Sequence, residues 1–424
     1  MAEDRLTAKD RTTLLLWILV GVLGGVVAFK YFFVAFPEAS VDFRVSRPAA
    51  LEVARNFVTA QGEKLAGYQS SIVFRVDDTA KTYLEREAGL KQANELMASQ
   101  VSVWFWDVRF FRPLQKEEFH MRVSPAGRIV GYRHILEEAR EGAHLERAAA
   151  RTSAETFLLS HYKANLAAYD FLPQEANSTE RPRRRDWSFT WERRGFRAPA
   201  REDGAPYRLR VTVQGAEVGG CEEFLKVPEA WERSYQRLRS SNQLYETIAL
   251  VPYALLYGAL FWVIFDLGRR GLIRWAGAVK LGLVLAALFF VMNANEWPLV
   301  RSSYDTNSSY PGFLFGQMVG AVLASLAVGL VVSLSVAGAE PLYRRDQPDK
   351  LRLGVAFRLP GIRSKEFFRS CVIGLGMAAG HIGFIVLFYI VGRKFGVWAP
   401  QDINYTNAVS TALPWVYQIG RAHV

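Results

Sequence analysis

The sequence predicts a multi-pass α-helical membrane protein with five predicted transmembrane helices and an inserted α+β extracytoplasmic domain, itself a duplicated helix-plus-antiparallel-sheet unit. Three observations carry this. Five apolar runs are each long enough to cross a bilayer. Between the first and second lie about two hundred residues with no such run, enough for a core of their own. Inside that stretch Arg47, Ala49, Ala50, Ala54 and Phe57 recur one hundred residues on as Arg147, Ala149, Ala150, Ala154 and Phe157, at spacings that put the alanines and phenylalanines on one helical face.

Composition agrees with a mixed chain. Half of the residues are hydrophobic and 13% aromatic, yet the mean hydropathy is only +0.03, which fits neither an ordinary soluble enzyme nor a uniformly apolar transporter. The formal charge is +11, but the cations gather beside apolar runs and in one arginine tract, a distribution suited to anionic lipid rather than to nucleic acid. Cys221 falls in the polar region and Cys371 opens an apolar run, so no disulfide joins them.

Taken in order, residues 1–36 read as an uncleaved anchor. Arg5, Lys9 and Arg11 precede the apolar run Thr12–Phe36, which is too long for a signal-peptide core. Residues 37–244 form the inserted domain. After each repeated helix comes a Trp-rich strand, Val101–Val108 and Trp187–Trp191. A strand pair then turns at a glycine, Gly127-x-x-Val130-Gly131 in the first copy and Gly215-x-x-Val218-Gly219 in the second. The stretch Asn177–Arg185 reads as a solvated loop. This pattern is loosely similar to PepSY-type extracytoplasmic modules.

Residues 245–418 read as a membrane helix bundle, with spans at about 246–267, 275–293, 313–336 and 371–391. Arg269, Arg270 and Arg274 crowd one short loop, and Arg344, Arg345, Lys350, Arg352, Arg358, Arg363, Lys365 and Arg369 crowd another. Both are expected inside, with the N-terminus, at the inner (cell) membrane, which leaves residues 37–244 outside. The Arg344–Arg369 loop is expected to meet anionic lipid. Gly21/Gly25, Gly316/Gly320 and Gly376/Gly380 are Gly-x-x-x-Gly pairs that predict close helix approach.

Polar groups inside spans are the candidate functional residues. His381, flanked by Gly380 and Gly383 midway along its span, is the expected buried polar group. Gln317 reads as an interhelical hydrogen bond and Lys280 as a snorkelling cation. No HExxH, phosphate loop, dinucleotide fingerprint or Gly-x-Ser-x-Gly elbow occurs.

Three stretches, Ala337–Leu353 (AGAEPLYRRDQPDKLRL), Leu359–Ser370 (LPGIRSKEFFRS) and Ile403–Trp415 (INYTNAVSTALPW), resemble the CPBP family. These are CAAX prenyl protease-like and bacteriocin-processing-like intramembrane peptidases. The resemblance implies an anchor, an outer domain and several helices ahead of a catalytic core that cleaves membrane-associated peptides. It also implies a signature of Glu-Glu-x-x-x-Arg, then Phe-x-x-x-His, converging in a dry bundle, with or without a divalent metal.

Glu117, Glu118 and Arg122 match the first pattern literally, and Phe157 and His161 the second. Glu118, His120 and Arg122 alternate with Phe119, Met121 and Val123, which marks a strand, and Phe157–His161 falls on the repeated helix, whose partner Phe57 has no histidine four residues on, so both matches read as decoys. The catalytic residues are expected beyond the C-terminus, no cofactor or metal is expected in this chain, and residues 419–424 read as a non-native tail resembling translated sequencing adapter. The alternative reading is a non-enzymatic, membrane-anchored sensor or binding protein with an outer ligand-recognition domain.

Overall fold

The computed structural model describes residues 5–36, 41–348, 358–395 and 405–421. Two compact units emerge. One comprises described residues of 1–40, 240–291 and 322–403, and the other those of 41–239, 292–321 and 404–424. The second therefore takes in two stretches, after residue 291 and after residue 403, that sequence alone places with the helix bundle.

The second unit is built on one antiparallel sheet of nine strands. Its first half follows helix α2 (Arg47–Thr59), whose Ser46 side chain caps the Ala49 amide. Strands β1 (Gln69–Val76), β2 (Trp104–Phe111), β3 (Glu118–Val123) and β4 (Ile129–Ile135) come next. The second half follows α5 (Arg147–Ser160), with β5 (Tyr169–Phe171), β6 (Asn177–Arg181), β7 (Arg184–Arg193), β8 (Tyr207–Gln214) and β9 (Glu217–Leu225). The strand order is β1-β2-β3-β4-β9-β8-β7-β5, with β6 paired to β7. That order is a palindrome. The two copies meet through their last strands, β4 against β9, as a local twofold axis requires.

Register locates the axis. Trp106 lies opposite Val123 in one copy and Trp187 opposite Val213 in the other. On the other side of that valine the pairs β3–β4 and β8–β9 are each interrupted, between Arg122 and Val123 and between Thr212 and Val213. The copies are thus offset by 90 residues on β3/β8 (Val123 to Val213) and by 89 on β4/β9 (Gly131 to Gly220), not by the 88 that the turn glycines suggest. The first turn simply holds one residue more. Gly127 and Gly215 both adopt positive φ, +87° and +66°, which side chains disfavour. With these offsets Tyr132 pairs with its own equivalent, Cys221, so the axis passes through that buried pair.

Helices α2 and α5 cover one face of the sheet. Ala50, Ala54 and Val58 of α2 and Ala150, Ala154 and Leu158 of α5 are fully buried against Trp106, Val108, Phe119, Met121, Leu209 and Val211. Two sequence expectations need correction here. The Trp-rich strand does not follow the first helix directly, because β1, α3 (Asp78–Glu87) and α4 (Leu90–Ser99) intervene. Asn177–Arg185 is no loop. It closes a β6–β7 hairpin that sets Arg184 within a buried bond to Asp186 at 2.8 Å and lets it donate to the Glu137 and Arg140 carbonyls.

Among the described residues five helices are long and apolar enough to cross a membrane: α1 (Ala8–Ala35), α6 (Glu229–Arg269), α7 (Trp275–Asn295), α9 (Tyr310–Asp346) and α11 (Lys365–Lys394). Short helices α8 (Trp297–Ser302), α10 (Leu359–Ile362), α12 (Tyr405–Ser410) and α13 (Pro414–Arg421) lie between and after them. Helix α6 starts well before the span the sequence marks, so the passage from polar domain to apolar helix occurs inside one helix.

Helix α1 packs along α11 through glycine. A β-carbon on Gly380 would sit 2.7 Å from Val20, and one on Gly24 would overlap Gly380 and Ala379. Gly21 meets Gly376. Gly282 of α7 likewise meets Gly329 and Ser333 of α9. By contrast Gly25, Gly316 and Gly320 face open space. His381 corrects the expectation of burial. The packed stripe of α11 runs through Gly376, Gly380 and Gly383, and His381, about 100° round from Gly380, is exposed. Gln317 is exposed too and makes no interhelical bond among the described residues.

Candidate functional site

Glu118 opens β3 and Glu117 immediately precedes it, and their side chains reach different partners. Glu117 accepts from Arg140 at 2.7 Å and from the Tyr68 hydroxyl at 3.2 Å, and lies 3.0 Å from His134 Nε2. His134 is stacked on Phe119 at 4.1 Å. Burial resists ionisation of Glu117, but the bonds to His134 and Arg140 outweigh it and lower its pKa. Burial, with the Glu117 charge beside it, pushes Tyr68 up to about 12.

Glu118 is buried and saturated. Arg109 donates to both of its oxygens, at 2.6 and 2.7 Å, Thr306 Oγ1 donates at 2.8 Å, and His120 Nε2 lies at 3.0 Å. Burial opposes its charge, yet the bonds from His120, Arg109 and Thr306 bring its pKa down to about 2. A general base for peptide cleavage needs a pKa nearer neutrality and a free oxygen facing water. Glu118 has neither.

Its role is a clamp. Arg109 also donates to the Tyr304 carbonyl at 2.5 Å and reaches the Ser302 carbonyl at 3.4 Å, so β2 and β3 hold the chain that joins α7 to α9. Tyr304 is buried beside Phe111, with ring centroids 5.3 Å apart. The remaining residues of the literal matches stay apart from it. Arg122 is half-exposed over Phe105, at 4.8 Å, and His161 is exposed at the end of α5, stacked on Phe157. Among the described residues no three His, Cys, Asp or Glu side chains converge as metal ligands.

A second cluster locks the seam between the copies. Glu223 of β9 accepts from the Tyr162 hydroxyl at 2.9 Å, the Tyr207 hydroxyl at 2.8 Å and both terminal nitrogens of Arg128, which comes from the other copy's turn. Burial drives the Tyr162, Tyr207 and Cys221 pKa values upward and keeps all three groups protonated.

The helix-free face of the second copy carries an open polar cleft of about 330 Å³. It is lined by Glu175, Asn177, Ser188, Thr190, Arg208, Arg210 and Lys226. Period-two alternation along β8 buries Tyr207, Leu209, Val211 and Val213 and leaves Arg208 and Arg210 on this face. Arg208 is held by Glu175 at 2.6 Å and Glu192 at 3.0 Å. Arg210 lies over Phe224 and, among the described residues, its one ion pair is a long contact, 3.4 Å, to Glu222. Lys226 is exposed and has no ion pair among the described residues. Of these residues Asn177 falls in a stretch that the sequence marks, Asn177–Arg185, and Ser188 and Thr190 in another, Trp187–Trp191. The polar half of the β8 alternation is the signal for Arg208 and Arg210.

The basic loop is partly engaged. Arg369 and Lys365 pair with Asp10 at 3.0 and 3.6 Å, and Arg344 with Glu340 at 3.3 Å. Arg358 and Arg363 are exposed, while Lys350 and Arg352 lie outside the described residues.

The chain matches no protein-family profile and no curated protein. Among solved structures it is similar to the Bacillus megaterium YpeB C-terminal domain, with 16% identity and a TM-score of 0.25. The match covers 42% of this chain and 62% of the length of that one.

Proposed function

We propose that this chain is the N-terminal part of a CPBP-type intramembrane peptidase: an anchor, an outer sheet domain and the first bundle helices, without the catalytic residues. The resemblance in Ala337–Leu353, Leu359–Ser370 and Ile403–Trp415 motivates the reading. One observation supports a working role for the outer domain. The tail that carries the last of those stretches is bonded into the sheet's unit: Ser410 Oγ accepts from the Phe74 amide at 2.6 Å, Arg47 donates to the Thr411 carbonyl at 3.1 Å, and Asn295 bonds Leu413 at 2.6 and 2.9 Å. On this reading the sheet domain fixes how the chain enters its catalytic helix, and membrane-associated peptides are the substrates.

The same reading places the N-terminus inside and the sheet domain outside. Hydrogen bonds from the sheet to the α7–α9 connection and to the tail agree with it, since helix parity puts all three on one side. The test compares residues 1–424 with the product of an intact locus, each in liposomes with a fluorogenic membrane peptide. The longer protein is expected to cleave and residues 1–424 to be inert. A stop codon directly after Val424, or cleavage by residues 1–424 that Glu118→Gln abolishes, would sink the proposal.

A second reading, a membrane-anchored receptor whose outer domain recognises a ligand, is favoured by the uncovered polar cleft.

A further inference from the structure

We propose that the cleft between β7, β8 and Lys226 binds an extended peptide segment bearing carboxylate side chains. The proposal rests on the ligand-recognition reading of the outer domain and is independent of the peptidase reading.

The internal twofold supplies the argument. Register makes Thr190 the equivalent of Arg109, Arg208 the equivalent of Glu118 and Arg210 the equivalent of His120: Arg109 pairs with His120 as Thr190 does with Arg210, and Phe111 with Glu118 as Glu192 does with Arg208. In the first copy this position already grips main chain, at the C-terminus of α8 and in the turn that follows it. Arg109 donates to the Ser302 and Tyr304 carbonyls, and Glu118 accepts from Thr306. The cleft is the same position in the second copy, left uncovered.

Its chemistry is inverted. Where the first copy presents an acid, the second presents Arg208, with Arg210, Lys226 and the hydroxyls of Ser188 and Thr190 around it. Three cations face one lining carboxylate, Glu175. Arg208 is taken up by Glu175 and Glu192, so attraction for a guest comes from Arg210, loosely held by Glu222, and from Lys226. Donors at a place that holds main chain call for a partner rich in acceptors, namely peptide carbonyls flanked by carboxylates.

The test uses the full chain in detergent and a short fluorescent peptide alternating glutamate and serine, read by anisotropy. Binding is expected, weakening as salt rises. Arg210→Gln and Lys226→Gln are each expected to weaken it about tenfold or more, the loss of one charge-assisted bond. Arg75→Gln, at an exposed arginine of the first copy, is expected to leave it unchanged, and all three variants should keep the parent's thermal midpoint. Equal binding by Arg210→Gln, or displacement of the peptide by inorganic phosphate at lower concentration than by free peptide, overturns the proposal. Tight binding of a glutamine-for-glutamate peptide that Arg210→Gln abolishes overturns the carboxylate chemistry but leaves a recognition site. No binding of either peptide removes both.

Discussion

Phe57 and Phe157, one hundred residues apart in sequence, meet edge to face with ring centroids 6.4 Å apart. Tyr132, the residue on the internal twofold axis, contacts both rings, at 5.4 and 6.2 Å. The repeat visible in sequence is therefore a physical contact, and it fastens α2 to α5 over the β4–β9 seam. Phe157→Ala is expected to cost roughly 3–5 kcal/mol, and Phe57→Ala less because Phe57 is only partly buried. The double variant should show a coupling of about 0.5–1.5 kcal/mol in denaturant unfolding followed by tryptophan fluorescence. Strict additivity would mean that the two rings do not support one another.

Acid should loosen the Glu118 clamp in a defined window. Its folded pKa of about 2 lies below the ordinary 4.5, so its contribution is complete above about pH 4.5 and is lost as pH falls toward 2. The shift corresponds to about 3 kcal/mol at most. Glu118→Gln should be less stable by roughly 3–5 kcal/mol at neutral pH, because Arg109 stays behind largely buried without its partner. Its stability should fall less across the same acid window. Parallel acid limbs for parent and variant would assign the transition to other groups.

Close packing makes the glycines of α1 and α11 unequal. Gly24→Leu and Gly380→Leu force backbone apart and should destabilise the pair by about 1–3 kcal/mol. Gly25→Leu, in open space, should leave thermal unfolding in detergent unchanged. Equal losses at Gly24 and Gly25 would contradict the packing described.

Sidedness is testable with a membrane-impermeant maleimide on intact spheroplasts of a Cys371→Ser background, in which the remaining Cys221 is buried. Asn307→Cys, exposed in the α7–α9 connection, should label without lysis. Arg270→Cys should label only after it. The opposite pattern would invert the proposed orientation.

Legibility followed range. The spans were readable because apolar length is a local property, and β3 was readable because Phe119, Met121 and Val123 alternate with polar neighbours. Helices α3 and α4 are hidden from a repeat-based reading because they interrupt only one copy, and β1 is hidden because its counterpart β5 is only three residues long. The clamp escaped for another reason. Nothing near Thr306 announces a partner at Glu118, 188 residues earlier in the chain. Flanking glycines suggest burial of His381, but those glycines pack their own face of the helix and turn the histidine away.

The bond that closes the outer edge of β1 sets a schedule for biogenesis. The Phe74 amide, at that edge, waits for Ser410, 336 residues further along. At ribosomal speeds of about 5–20 residues per second the interval is roughly 17–70 s. Throughout that time β1 presents an unpaired edge able to recruit a stray strand from a neighbouring nascent chain.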